Sequence, residues 1–329
     1  MARALPLLLL ATTALPAQDP TPTPPTPPTP SFAHLARPPR GLPPMPAPVG
    51  YEPTAAVFDL GRRLFHDGIL SRDRSVTCSS CHPAANGFAS PLPRPSGVDG
   101  RTAARHAPVL WNRGYGTRQR WDGRSPDLET FVLEPIADPN EMDLPLDSAL
   151  QRLAADAAYA AEFAAAFGAP PSATTLQRAL ATFVRGIALG DAPYDRFVAG
   201  DAAALTQEQR TGLWVFESKG RCWLCHPPPL FTDEGFHNTG VGVRDGVPEP
   251  GHALATGRDD DRGRWKTPTL RGLRWSAPYL HDGSVATIEG VVEFYERGGN
   301  ANPGLDPRLH AIELSDAERR ALAAFLRSL

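Results

Sequence analysis

From Glu52 the apolar residues recur with helical period, and Ala56, Leu60, Leu64 and Phe65 share one face of a segment that Gly68 closes. A second helical pattern carries Leu146, Leu150, Leu153, Phe163 and Phe167, and a third carries Leu176, Leu180, Phe183, Val184 and Ile187. Gly168 and Gly190 mark their ends. Further on, Thr206-Gln207-Glu208-Gln209 has the form of a capping box, opening a helix that runs toward Gly220. Two more helices finish the chain, one over about 288–297 and one capped by Ser315 with Glu318 at the third position. These faces are core and say nothing of chemistry. No alternating run is long enough for a sheet, so the expected class is all-α. Long aperiodic stretches separate the helices, notably 110–124 and the Gly- and Asp-rich 233–264.

The N-terminus has a different character. Arg3 precedes an apolar run, Leu5 to Leu10, followed by small residues, so 1–17 reads as a secretory signal peptide. Pro16 leaves that run too short to span a bilayer, and an uncleaved anchor is the alternative. Residues 18–49 are dominated by Pro and Thr, a composition that cannot bury a core and predicts a disordered tether. At 329 residues the remainder has room for two domains, 50–198 and 199–329. The net charge of −3, with no Lys/Arg stripe, excludes a nucleic-acid partner, and no stable membrane insertion is expected once the signal is cleaved.

Composition changes the picture most at the cysteines. All four lie in two pentapeptides, Cys78-Ser79-Ser80-Cys81-His82 and Cys222-Trp223-Leu224-Cys225-His226. C-x-x-C-H is the attachment signature of c-type haem: two thiols form thioethers to the porphyrin and the histidine becomes the proximal iron ligand. A zinc ribbon would keep its two cysteine pairs about 15–20 residues apart, and a thioredoxin-like motif has no need of the repeated histidine. Each expected domain therefore receives one covalently held haem c, with His82 and His226 as iron ligands. Such attachment in bacteria occurs beyond the inner membrane, which agrees with export to the periplasm.

The sixth iron ligand decides whether a haem reacts or only carries electrons. Met1, Met45 and Met142 are the only methionines, so none falls within 199–329. Ile288, Val291, Val292 and Tyr295 follow helical spacing, which turns Tyr295 inward. On spacing alone a core tyrosine is the more ordinary reading, and His237 and His281 remain rival ligands.

The chain resembles the bacterial di-haem cytochrome c peroxidases and, within them, the MauG-like branch. The resemblance runs from about residue 52 to the end. It is carried by Leu64-Phe65-His66-Asp67, Trp121-Asp122-Gly123-Arg124, Glu134-Pro135, Asn140-Glu141-Met142, Phe231-Thr232-Asp233, Phe236-His237-Asn238, Lys266 to Arg271, Ala277 to Gly283 and Val291 to Tyr295. It implies a reactive haem at His82 and an electron-handling haem at His226. Tyr295 would be the latter's distal iron ligand, Trp121 a relay between the haems, Glu141 the distal acid and Pro135 a shaper of the same pocket. It further implies a calcium ion held by carbonyls of Ser276-Ala277-Pro278, with Ser276 and Pro278 as candidate ligands, although the expected asparagine is replaced by His106.

Other departures bear on function. The family's distal glutamine is Phe131 here, and 90–105 holds no histidine to block the first iron. The tryptophan through which MauG oxidises its protein substrate is Gly220. The expected activity is therefore a periplasmic peroxidase that reduces hydrogen peroxide with electrons from a small donor protein, a cytochrome c or cupredoxin. The alternatives are a MauG-like oxidase acting on a protein substrate and a non-catalytic di-haem electron carrier.

Overall fold

The computed structural model describes residues 25–329, so the signal-peptide reading and the first part of the tether lie outside the described residues. The described chain is mostly helical, and its one ribbon pairs Phe236–Asn238 antiparallel to Arg264–Lys266.

Two helix pairs form the scaffold. In the first half Ala55–His66, opened by Thr54 whose hydroxyl accepts from Val57 N, packs on Ala173–Arg185. In the second, Gln207–Glu217 packs on Asp316–Leu326. Thr206 with Gln209 and Ser315 with Glu318 make the expected capping boxes. Each first helix carries a glycine at the crossing. A Cβ on Gly61 would run into the Ala179 carbonyl, and one on Gly212 into the Ala321 carbonyl, so each pair crosses at backbone contact.

The halves also repeat outside these helices. Residues 106–135 and 266–295 correspond one to one without a gap. Both carry a 3-10 turn, Arg113–Tyr115 and Leu273–Trp275, and an antiparallel bridge, Gln119 to Ser125 and Tyr279 to Val285. Left-handed residues recur at Asn112 and Gly272, Arg120 and Leu280, Gly123 and Gly283. The next helices open at Leu128 and Ile288, capped by Asp127 and Thr287. Pro135 and Tyr295 are thereby equivalent positions.

Four expectations need correction, the first being that the third helical pattern ends at Arg185, capped by Gly186, and not at Gly190. The long second pattern is two helices, Leu146–Ala155 and Ala157–Phe167, because Asp156 leaves helical geometry and its carboxylate caps the second through Ala158 N and Tyr159 N. Ala56 is exposed, and Val57 and Phe58 take its place on the buried face. The described part of the tether is placed against the body. Ser31 N donates to Gly186 O at 3.1 Å, Asp191 N to Arg40 O at 2.7 Å and Tyr115 Oη to Pro43 O at 2.8 Å. The Phe32 ring packs on Phe58 with centroids 6.1 Å apart. Extended Pro-rich backbone leaves its carbonyls free of internal bonds, so donors on a folded surface can take them.

A fully buried ion pair, Arg271 with Asp195, joins the halves. Arg271, with no exposed side-chain surface, holds Asp195 through two bonds of 2.8 Å, and Asp195 Oδ2 also accepts from Ala192 N at 2.9 Å. Asp195→Ala strands the guanidinium and should destabilise the fold by about 3–5 kcal/mol, measurable by denaturant unfolding.

Candidate active site

Each pentapeptide lies on a short helical turn after the first scaffold helix, Cys78–Cys81 capped by Thr77 and Cys222–Leu224. The turn brings both sulfurs and the histidine to one apolar cavity. Cys78, Cys81 and His82 line the first cavity, and Cys222, Cys225 and His226 the second. The histidines are held alike. His82 Nδ1 meets the Phe88 carbonyl at 2.9 Å, and His226 Nδ1 meets the Phe231 carbonyl at 2.9 Å. Phe88 and Phe231 both have positive φ, 58° and 53°, which turns their carbonyls back onto the imidazoles. Each ring thus uses Nδ1 as donor and presents Nε2, with its lone pair, to the cavity. Burial pulls both imidazoles down to about 4, so they are neutral and fit to ligate iron. Paired thiols, a tautomer-fixed imidazole and an apolar wall are the donor set a c-type haem requires, and both cavities fit it.

Beyond the pentapeptides the cavities differ. The first is faced by Phe131, Pro135 and Glu141. The loop 138–144 folds back on Pro135, with Met142 N donating to Pro135 O at 3.1 Å and Leu144 N to Ile136 O at 2.8 Å. Gly97 packs against this loop so closely that a Cβ would strike the Asn140 and Glu141 carbonyls. Burial raises the Glu141 carboxyl above its ordinary value, opposed by the Arg120 guanidinium 4.0 Å away. Arg120 also lies over the Phe131 ring at 5.5 Å and pairs with Glu134. Sequence reasoning missed Arg120, whose available signal was its place directly before Trp121 in the repeated segment.

Tyr295 lines the second cavity, where burial and the neighbouring thiols Cys225 and Cys222 push its phenol well above the ordinary range. His237, a rival ligand, has both nitrogens engaged, Nδ1 with Asp306 at 2.8 Å and Nε2 with Asp233 at 2.9 Å. Burial opposes its charge, but the Asp233 hydrogen bond pushes the imidazole up to about 10, and with carboxylates on both nitrogens neither lone pair is turned to the cavity. His281 also lines this cavity, stacked on Trp265 at 3.9 Å, with Nε2 3.6 Å from Glu249.

Trp121 faces the second cavity, its Nε1 donating to the His106 carbonyl at 2.8 Å and its ring meeting His281 edge-on at 6.3 Å. Arg120 and Trp121, adjacent in the chain, therefore diverge, Arg120 to Glu141 at the first cavity's edge and Trp121 to the wall of the second. Ser276 and Pro278 lie in the second cavity wall, but His106 is buried with Nδ1 on the Leu92 carbonyl at 3.1 Å. This donor set offers nitrogen where calcium wants oxygen and fits that ion poorly. The metal-competent cluster among the described residues, Cys225 with Asp233 and His237, lies elsewhere and belongs to the His237 network.

Known proteins resemble the chain along most of its length. Residues 55–203 match the model of the family described as di-haem cytochrome c peroxidase. A methylamine utilization protein MauG of Methylorubrum extorquens is 37% identical over 293 residues, covering 87% of this chain and 81% of the relative. A cytochrome-c peroxidase IdrP2 of Denitromonas iodatirespirans is 32% identical, covering 84% and 82%. The crystal structure of a MauG-like protein associated with microbial copper homeostasis superposes with a TM-score of 0.82 at 33% identity, covering 88% of this chain and 94% of that one.

Proposed function

Because the chain belongs to the di-haem cytochrome c peroxidase family, oxidoreductases that act on peroxide, we propose that it is a periplasmic peroxidase with two unequal haem sites. Hydrogen peroxide is reduced at the first, taking up two electrons and two protons to give two waters. The electrons enter through the second from a small redox protein, a cytochrome c or cupredoxin. The halves correspond to the domains 50–198 and 199–329.

One observation carries this reading. At equivalent positions of the repeat the second cavity has Tyr295 and the first has Pro135. A phenol can ligate iron, and a proline side chain cannot. With the phenol as a ligand, the same backbone frame would close one site and leave the other open to a small ligand. When bound, the haems supply the redox chemistry; the protein supplies proton handling and access. Glu141, raised by burial, moves a proton from the near to the far peroxide oxygen so that water can leave. Arg120 holds positive charge beside that carboxyl, and Phe131 keeps the wall apolar. Trp121 is the electron relay.

Electron paramagnetic resonance of the oxidised protein should give one high-spin and one low-spin haem, with rapid peroxide-dependent oxidation of a reduced small cytochrome. Two low-spin haems and no turnover would leave an electron carrier instead. The MauG-like reading, oxidation of residues on a protein substrate, is favoured by Tyr295 and the MauG relatives and weakened by Gly220. Slow cytochrome oxidation together with a long-lived peroxide-oxidised state would favour it.

A further inference from the structure

The two cavities are joined by a line of buried charge. Arg113 borders the first and Lys266 the second. Both reach one carboxylate: Arg113 Nη1 donates to Glu234 Oε1 at 2.8 Å and Lys266 Nζ to the same oxygen at 3.3 Å. Thr117 N donates to Glu234 Oε2 at 3.3 Å. The three side chains are 8–13% exposed. Lys266 N also donates to Trp121 O at 2.7 Å, tying this line to the indole's backbone.

The charges do not balance. Two cations share one anion, and burying charge in excess of its partners is costly. Arg113 is well supplied, with Gln119 Oε1 at 2.9 Å and Arg118 O at 2.8 Å besides Glu234. Lys266 is not: its contacts, Glu234 and Thr267 O at 3.4 Å, are long, and Asp233 nearby is committed to His237. Burial pulls its ammonium down to about 8 in the chain alone. An anion at Lys266 would remove the imbalance, and a porphyrin propionate entering the second cavity brings one. In the repeat the equivalent of Lys266 is His106, and that of Arg113 is Leu273, so the device belongs to the junction and not to each half. The chain has only two lysines, Lys219 and Lys266, and Lys219 is exposed on Glu318.

We propose that Arg113, Glu234 and Lys266 form a shared electrostatic bridge that sets the reduction potentials of the two haem sites together, with Lys266 holding a propionate of the second haem. The proposal rests on the di-haem reading above. A cation near a haem favours the reduced state, which carries one positive charge less, and an anion disfavours it.

The test is spectroelectrochemical titration of both haems in the holoprotein and three variants. Glu234→Gln should raise both potentials, because its carboxylate serves both cavities. Lys266→Met should lower the second potential more than the first, and Lys266→Arg, which keeps the charge, should stay near the unaltered protein. If Glu234→Gln moves only one haem or neither, the shared bridge is wrong. If Lys266→Met leaves the second potential in place, Lys266 holds no propionate. Should one variant fail to fold, the other decides its own half of the proposal. Pyridine haemochrome analysis separates the levels of failure: one haem per chain removes the di-haem reading, whereas two haems with unmoved potentials remove only the bridge.

Discussion

Replacing Tyr295 by Phe should convert the second haem from low to high spin, abolishing the low-spin resonance and raising that haem's reduction potential. The phenolate is a hard anionic donor that favours ferric iron, and its loss removes charge from the iron without creating a cavity. Peroxide turnover should fall with it, because electrons would enter at a poorly matched potential. The fold should suffer little, by about 1 kcal/mol, since no hydrogen bond of the hydroxyl is found among the described residues. An unchanged spectrum would transfer the ligand to His281, whose Nε2 lacks a hydrogen-bond partner among the described residues. His237 is not a candidate, because Asp233 and Asp306 hold both its nitrogens.

Glu141→Gln should lower peroxide turnover by roughly 10²–10⁴-fold while leaving both haems bound, since the amide keeps the shape and loses the proton transfer. The pH profile gives a second readout. Burial raises the Glu141 carboxyl above its ordinary value, so its proton-accepting form is lost as pH falls through that raised value. The acid limb of the rate should therefore lie above the ordinary carboxylate range in the unaltered protein and be absent from the variant. A residual limb at the same pH would assign the proton transfer to another group.

The fates of particular residues show where sequence reading reaches and where it stops. The capping boxes at Thr206 and Ser315 were legible because a cap is local, a hydroxyl three residues from the amide it accepts. The break at Asp156 was not, because apolar spacing continues across it and only the carboxylate's bonds to two amides reveal the interruption. The docked arm was misread because composition averages over residues, while Phe32 and a few carbonyls make the contacts. The repeat was present as pattern, but its halves share few identities. Trp121 stands opposite His281 and Pro135 opposite Tyr295, and the backbone turns are what align them.

By itself the sequence determined the two C-x-x-C-H pentapeptides, the helical class, the family and the absence of methionine from 199–329. These follow from residue identity and local spacing, which survive in one dimension. Only the tertiary structure decided that His237 is spent on two carboxylates, that Arg120 stands beside Glu141, and that Arg113 and Lys266 share Glu234 between the cavities. Each depends on a distance between residues far apart in the chain or on a side-chain direction set by a left-handed turn. Charge and coordination act through space, so the pairing of these groups exists only once the halves are folded together.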